Sequence, residues 1–168
     1  MINLYINNFI RFVLLVFLQV LVFDNIELSG HINPYIYILF IILLPFETPN
    51  GLLLILAFFL GLSVDLFSMT PGMHASATVF TAFLRPFVLK NFSPRDGYEP
   101  GATPGVASYG LVWFAKYAAI LVFAHHLFLF VVEIFQLGDI LFILSKTLLS
   151  GTISIFFILI SQYFIFRR

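Results

Sequence analysis

The sequence predicts an all-α integral membrane protein, on three observations: its apolar content, the spacing of its apolar runs and the placement of its positive charge. Of its 168 residues, 61% are hydrophobic and 10% charged, and the mean hydropathy is +1.08. A soluble domain has about 45–50% apolar and about 25% charged residues. The chain has no cysteine, which excludes disulfides, thiolate metal ligands and cysteine nucleophiles. The first apolar run reaches Phe23 without a small-residue cleavage site and comparable runs follow it, so it is expected to be retained as a helix rather than removed as a signal peptide.

Runs of about 20 apolar residues mark helices able to cross a bilayer. On that basis six transmembrane helices are expected in one polytopic domain covering 1–168, at about 4–23, 35–46, 52–67, 74–89, 106–135 and 140–166. The first is interrupted only by polar residues such as Asn7, Asn8, Arg11 and Gln19. The second and third are shorter, and Pro45-Phe-Glu-Thr-Pro49-Asn-Gly51 between them is dense in helix breakers. The second is the shortest of all. Only the connection from Asn91 to Ala107 is long, and Pro94, Gly97, Pro100, Gly101, Pro104 and Gly105 leave it no regular helix. It reads either as a solvated linker or, through Tyr98 amid mixed charges, as a cytoplasmic partner contact.

Lys and Arg in short loops stay on the cytoplasmic side, whereas Asp and Glu contribute little. With six spans, both termini and the even loops share one side, which collects Arg11, Arg85, Lys90, Arg95, Arg167 and Arg168. The odd loops, about 24–34, 68–73 and 136–139, hold no Lys or Arg. Both termini are therefore expected in the cytoplasm, with Asp24, Glu27 and Asp139 at the outer surface.

Ionisable groups inside spans pair, line cavities or mark routes for protons and substrates. Asp65 lies near the outer end of the third span and Lys146 at similar depth in the sixth. They are expected to form an ion pair, with a partner-facing carboxylate and a transport role as the alternatives. In the fifth span Lys116, His126 and Glu133 suggest a polar seam, since His126 and Glu133 fall within about 20° of one another on a helix. The seam reads as an interhelical hydrogen bond or as a proton relay. Adjacent His125 and His126 diverge by about 100°, and the spacing suits no compact metal site. Ala75, Ser76, Ala77, Thr78, Thr81 and Ala82, with Ser150, Gly151 and Ser154, mark faces for close helix packing. GxSxG, HExxH and Walker A patterns are all missing from the sequence, as is any cofactor motif, so a non-enzyme is expected.

The stretch Gly61, Asp65, Pro71-Gly72 and the small-residue helix from His74 to Ala82 resembles the rod shape-determining MreD family of small bacterial inner-membrane proteins. This chain departs from the family's turn by having Pro and Gly directly adjacent, and its second span is short. The resemblance implies a non-catalytic scaffold in the cell-wall elongation complex, the elongasome, needed for peptidoglycan synthesis and rod cell shape. The implied partners are an MreC-like bitopic protein, a RodA-type glycosyltransferase, a class B penicillin-binding protein and, indirectly, the MreB cytoskeleton. It also implies a bundle like the substrate-binding S component of energy-coupling-factor vitamin transporters, with Asp65 and the Pro71-Gly72 turn shaping an outer rim for a partner's helix. Two competing readings stay open. An S-component-like transporter subunit would use an outer pocket drawing on His31, Tyr35, Tyr37, Asp65 and Lys146. A proton-coupled carrier would lean on His126 and Glu133.

Overall fold

The computed structural model describes residues 2–25, 32–99, 101–135 and 139–166. Glu27, His31, Pro100, Arg167 and Arg168 lie outside the described residues. Within them the architecture is helical: α1 Ile2–Leu21, α2 Leu39–Ile42, α3 Asn50–Ser68, α4 Met73–Asn91, α5 Val106–Tyr109, α6 Leu111–Ile134 and α7 Ile140–Phe166, with a 3-10 turn at Phe23–Asn25. Four stretches, Ile6–Asn25, Asn50–Ser68, Leu111–Ile134 and Ile140–Phe164, are long and apolar enough to cross a membrane. The chain is thus built as a helical membrane protein. Phe9, Phe17, Phe59, Leu66, Phe87, Leu141 and Phe164 stand more than half exposed, an outward apolar surface that suits lipid far better than water.

The closest helix pair is the α3–α4 hairpin. Both helices have 19 residues, and the turn between them is set by backbone geometry. Met69 caps α3 in the left-handed region at φ 54°, and Gly72, entering α4, sits at φ 86°, a conformation that costs glycine nothing. At Gly61 the two backbones touch. A Cβ there would stand 2.4 Å from the His74 carbonyl oxygen and 2.5 Å from Ala75 Cα. Thr78 spans the same interface, its hydroxyl 2.8 Å from the Ala57 carbonyl.

The second predicted span, 35–46, is not a membrane-length helix. Only the four residues Leu39–Ile42 are α-helical, yet every residue from Pro34 to Leu44 is buried. The physical reason lies in length and flanking prolines. Twelve helical residues reach about 18 Å, short of the about 30 Å of hydrocarbon, and Pro34 and Pro45 prevent extension as a regular helix at either end. A more extended chain at about 3.3 Å per residue covers the same depth with fewer residues. The segment runs through the bundle from the end that carries Asp65 to the end that carries Arg85.

Two further expectations are corrected. The run 106–135 is broken at Gly110 (φ 81°), which separates the four-residue α5 from α6. The connection after α4 is exposed from Ser93 to Gly97, as a solvated linker would be, but it is tied down at Tyr98. Tyr98 stacks on Phe46 with ring centroids 3.9 Å apart, and its hydroxyl donates to the Leu89 carbonyl at 2.7 Å. Burial pushes that hydroxyl up to about 12, so the donated proton stays on it. Trp113 Nε1 donates to the Phe92 carbonyl at 2.9 Å and closes the same cluster.

Gly61→Val should lower stability by about 2 kcal/mol or more, because overpacking a backbone contact forces the helices apart. Gly51→Ala, with nothing within 4 Å of the new Cβ, should be neutral or slightly stabilising. Thermal unfolding in detergent reads both, and equal melting temperatures for the two variants would remove Gly61 as the closure point.

Candidate functional site

Asp65 does not pair with Lys146. Its carboxylate turns across the hairpin and accepts from the Thr70 hydroxyl at 2.9 Å and from the backbone N–H groups of Gly72 at 3.2 Å, His74 at 3.0 Å and Ala75 at 2.9 Å. The first N–H groups of a helix have no partner within it, and an anion there also meets the favourable end of the helix dipole. Asp65 is therefore the cap of α4, supplied from α3. Its 3% exposure shows that the charge is held by these donors rather than by water. Pro71 lacks an N–H and leaves its neighbours to fill the carboxylate. Gly61, Asp65, Pro71, Gly72 and His74 thus form one structural unit, a clamp between the end of α3 and the start of α4.

Lys146 instead pairs with Glu133, its Nζ 3.0 Å from each carboxylate oxygen and 4.4 Å above the Phe130 ring. The expected seam on α6 divides accordingly. Lys116 is exposed. His126 meets the Val122 carbonyl through Nδ1 at 2.8 Å and Ser154 Oγ through Nε2 at 3.0 Å. A carbonyl only accepts, so the His126 proton sits on Nδ1. Glu133 and His126 share no hydrogen bond, and the relay that a carrier would draw between them is not formed. The interhelical hydrogen bond, donated by the Ser154 hydroxyl on α7 to His126 Nε2, is formed.

The largest polar network serves the buried segment 32–45. Gln19 on α1 donates to the Pro34 carbonyl at 3.1 Å and accepts the Ile36 N–H at 2.8 Å. Ser150 and Ser154 on α7 accept the N–H groups of Asn33 at 3.0 Å and Tyr35 at 2.9 Å. At the other end Tyr117 donates to the Ile42 carbonyl at 3.0 Å. Arg85 donates to the Leu44 and Pro45 carbonyls and to the Tyr117 hydroxyl, and Arg11 reaches the Leu43 carbonyl at 3.4 Å. Arg85 is only 1% exposed, so a residue that the sequence counts as a cytoplasmic charge is an internal ligand of backbone carbonyls. These roles were hidden behind other readings: Arg85 and Arg11 as orientation signals, Ser150 and Ser154 as small packing residues. The flanking prolines of Pro34-Tyr-Ile-Tyr-Ile-Leu-Phe-Ile-Ile-Leu-Leu-Pro45 and its β-branched content were the available signal for a buried non-helical strand of chain.

At mid-depth Tyr37 shares its hydroxyl between His74 Nδ1 at 2.9 Å and His125 Nε2 at 2.8 Å. Tyr35 packs edge-on to His74, 5.1 Å between centroids. At the Asp65 end a cavity of about 400 Å³ opens, lined in part by Asp24, Asn33, Tyr35, Phe67, His74 and Glu133. Of the residues proposed for an S-component-like pocket, Tyr35 lines it, while Tyr37, Asp65 and Lys146 do not. Among the described residues no cluster of three or more His, Asp or Glu has metal-binding geometry.

Comparison with protein families, with characterised proteins and with solved structures gives no match to this chain.

Asp65→Ala strands three helix-terminal N–H groups and should cost about 3 kcal/mol or more. A double-mutant cycle on Glu133→Gln and Lys146→Met should give a coupling of about 1 kcal/mol, modest because Glu133 is 38% exposed. The matching cycle on Asp65→Asn and Lys146→Met should give coupling below about 0.5 kcal/mol. Unfolding midpoints in detergent measure both cycles, and the reverse order of couplings would restore the Asp65–Lys146 pair.

Proposed function

We propose that this protein is a non-catalytic membrane scaffold of the bacterial cell-wall elongation complex, of the MreD type, holding an MreC-like bitopic partner and, with it, the peptidoglycan synthases. The observation that carries the reading is the α3–α4 hairpin. The residues on which the resemblance rests act together as one clamp, and that clamp presents an apolar tip. Leu66, Phe67 and Met69 are 74%, 58% and 88% exposed beside the exposed Pro71-Gly72 turn. Asp65 spends both oxygens inside the hairpin, so its part in docking is to shape the tip, while the apolar side chains make the contact.

The same reading fixes a topology. Five long helices and the buried segment 32–45 give six passages, an even number that puts both termini on one side. Lys90, Arg95 and Lys116 lie at the Arg85 end of the bundle and Asp24 and Asp139 at the other, and in this reading the positive-inside rule supports a cytoplasmic Arg85 end. In the inner membrane of a bacterium the hairpin tip then faces the periplasm, where the wall synthases work.

Affinity purification of the tagged protein from its native membrane, with mass spectrometry of retained proteins and small molecules, tests the assignment. A bitopic MreC-like protein with wall synthases is the expected recovery. Leu66→Ser combined with Met69→Glu should release it at least tenfold while insertion and melting temperature stay unchanged. Recovery of ATPase subunits or a stoichiometric vitamin in its place would assign the chain to transport.

A further inference from the structure

The cavity at the Asp65 end is more than a gap between helices. Its volume of about 400 Å³ falls in the range of small-molecule sites, about 300–1,000 Å³. Apolar walls from Val20, Phe23, Phe67 and Leu129 face polar groups from Asp24, Asn33, Tyr35, Thr70 and His74. Two features give this lining a chemical preference.

The first is charge. Two carboxylates line the cavity, and no Lys or Arg does. Glu133 is neutralised by Lys146. Asp24 accepts only from neutral donors, Gln19 Nε2 at 2.8 Å and Ser68 Oγ at 2.6 Å, and no cation pairs with it among the described residues. The cavity therefore carries one uncompensated negative charge, on an exposed carboxylate at its rim.

The second is a directed donor. His74 is only 4% exposed and lines the cavity, and its Nε2 has no hydrogen-bond partner among the described residues. Which nitrogen holds its proton follows from the Tyr37 hydroxyl, which has one proton for two imidazoles. His125 Nδ1 is buried without any partner. A buried orphan acceptor is tolerated more readily than a buried orphan N–H, so His125 places its proton on Nε2 and donates to Tyr37. Tyr37 then donates to His74 Nδ1, and His74 carries its own proton on Nε2, at the cavity wall. An almost fully buried side chain thus offers an unused N–H to the same space that Asp24 makes negative.

We infer that this cavity binds a small organic cation, a primary amine that also carries an oxygen acceptor: the ammonium group sits against Asp24, the oxygen takes the His74 Nε2–H, and the apolar body lies along Phe23 and Phe67. The site is independent of the scaffold assignment, since it depends on neither a partner nor the direction of insertion. It would give the protein a ligand through which the Asp65 end is stabilised or its tip repositioned.

Four isosteric probes test it on the purified full chain by isothermal titration: tyramine, its neutral alcohol analogue tyrosol, the anion 4-hydroxyphenylacetate, and phenethylamine, which lacks the oxygen. Tyramine should bind saturably and at least tenfold tighter than tyrosol, 4-hydroxyphenylacetate should not bind, and phenethylamine should fall between tyramine and tyrosol. Asp24→Asn should bring tyramine and tyrosol within about twofold, since each tenfold in affinity corresponds to about 1.4 kcal/mol. Ser68→Trp, at the cavity mouth, should abolish tyramine binding, with the melting temperature of the unliganded protein as the control for folding and Ser68→Ala as the variant that keeps the space. Absence of saturable tyramine binding, equal affinity for the charged and neutral probes, or an affinity unmoved by both Asp24→Asn and Ser68→Trp would each overturn the site.

Discussion

A peptide that runs through the middle of a helical bundle with only a single helical turn must find a partner for each N–H and C=O that turn leaves free, and in a membrane protein water is not there to supply one. Residues 32–45 impose that constraint, and much of the buried polar chemistry answers it. Gln19, Ser150, Ser154, Tyr117, Arg85 and Arg11 come from four different helices, and each makes at least one hydrogen bond to the backbone of this one segment. Removing any of them exposes a backbone group to a medium in which an unsatisfied partner costs several times what it does in water. The six side chains are therefore coupled through a backbone they share, although few of them touch each other.

Arg85 shows how far this goes. A fully buried guanidinium with no carboxylate beside it is ordinarily prohibitive, yet here it faces two main-chain carbonyls and a tyrosine hydroxyl at the end of the segment. Its fork of fixed donors suits several carbonyls at once, which a lysine's single ammonium would not. The charge is spread over oxygen dipoles, and the segment is anchored at the point where it leaves the bundle. Asp65 does the converse at the opposite end, an anion spread over backbone N–H groups. The two ends of the protein are closed by charges facing peptide dipoles of the opposite sense.

The sequence revealed what depends on composition and local pattern. Long apolar runs mark α1, α3, α6 and α7, and the hairpin from Gly61 to His74 is visible through its Pro-Gly turn and the small residues that follow. It concealed what depends on three-dimensional pairing. Asp65 and Lys146 lie at similar depth, so depth alone suggests an ion pair. The choice of partner is decided by direction, since Asp65 faces the start of α4 and Lys146, on α7, faces Glu133 on α6. Apolarity alone likewise cannot separate a short helix from a buried extended segment, because both need only to exclude water. What separates them here is the pair of flanking prolines and the six polar residues placed to receive the backbone, and those six are spread over more than 140 positions of sequence.

The same bookkeeping of donors explains why the Asp65 end keeps a reactive surface while the Arg85 end does not. At the Arg85 end Tyr98, Trp113 and Phe46 close over the buried segment, and their polar atoms are bonded to Leu89 and Phe92 carbonyls. At the Asp65 end the chain of bonds from His125 through Tyr37 to His74 terminates one group short, with the last nitrogen at a cavity wall. Within this cavity the spare donor lies next to Asp24, which no cation offsets among the described residues. Packing alone does not require the spare donor, since an apolar residue at position 74 would close the wall at lower desolvation cost. The buried spare donor is what sets the cavity apart from the mostly apolar space between α1 and α3, whose polar lining comes from Asn8, Glu47 and Thr48.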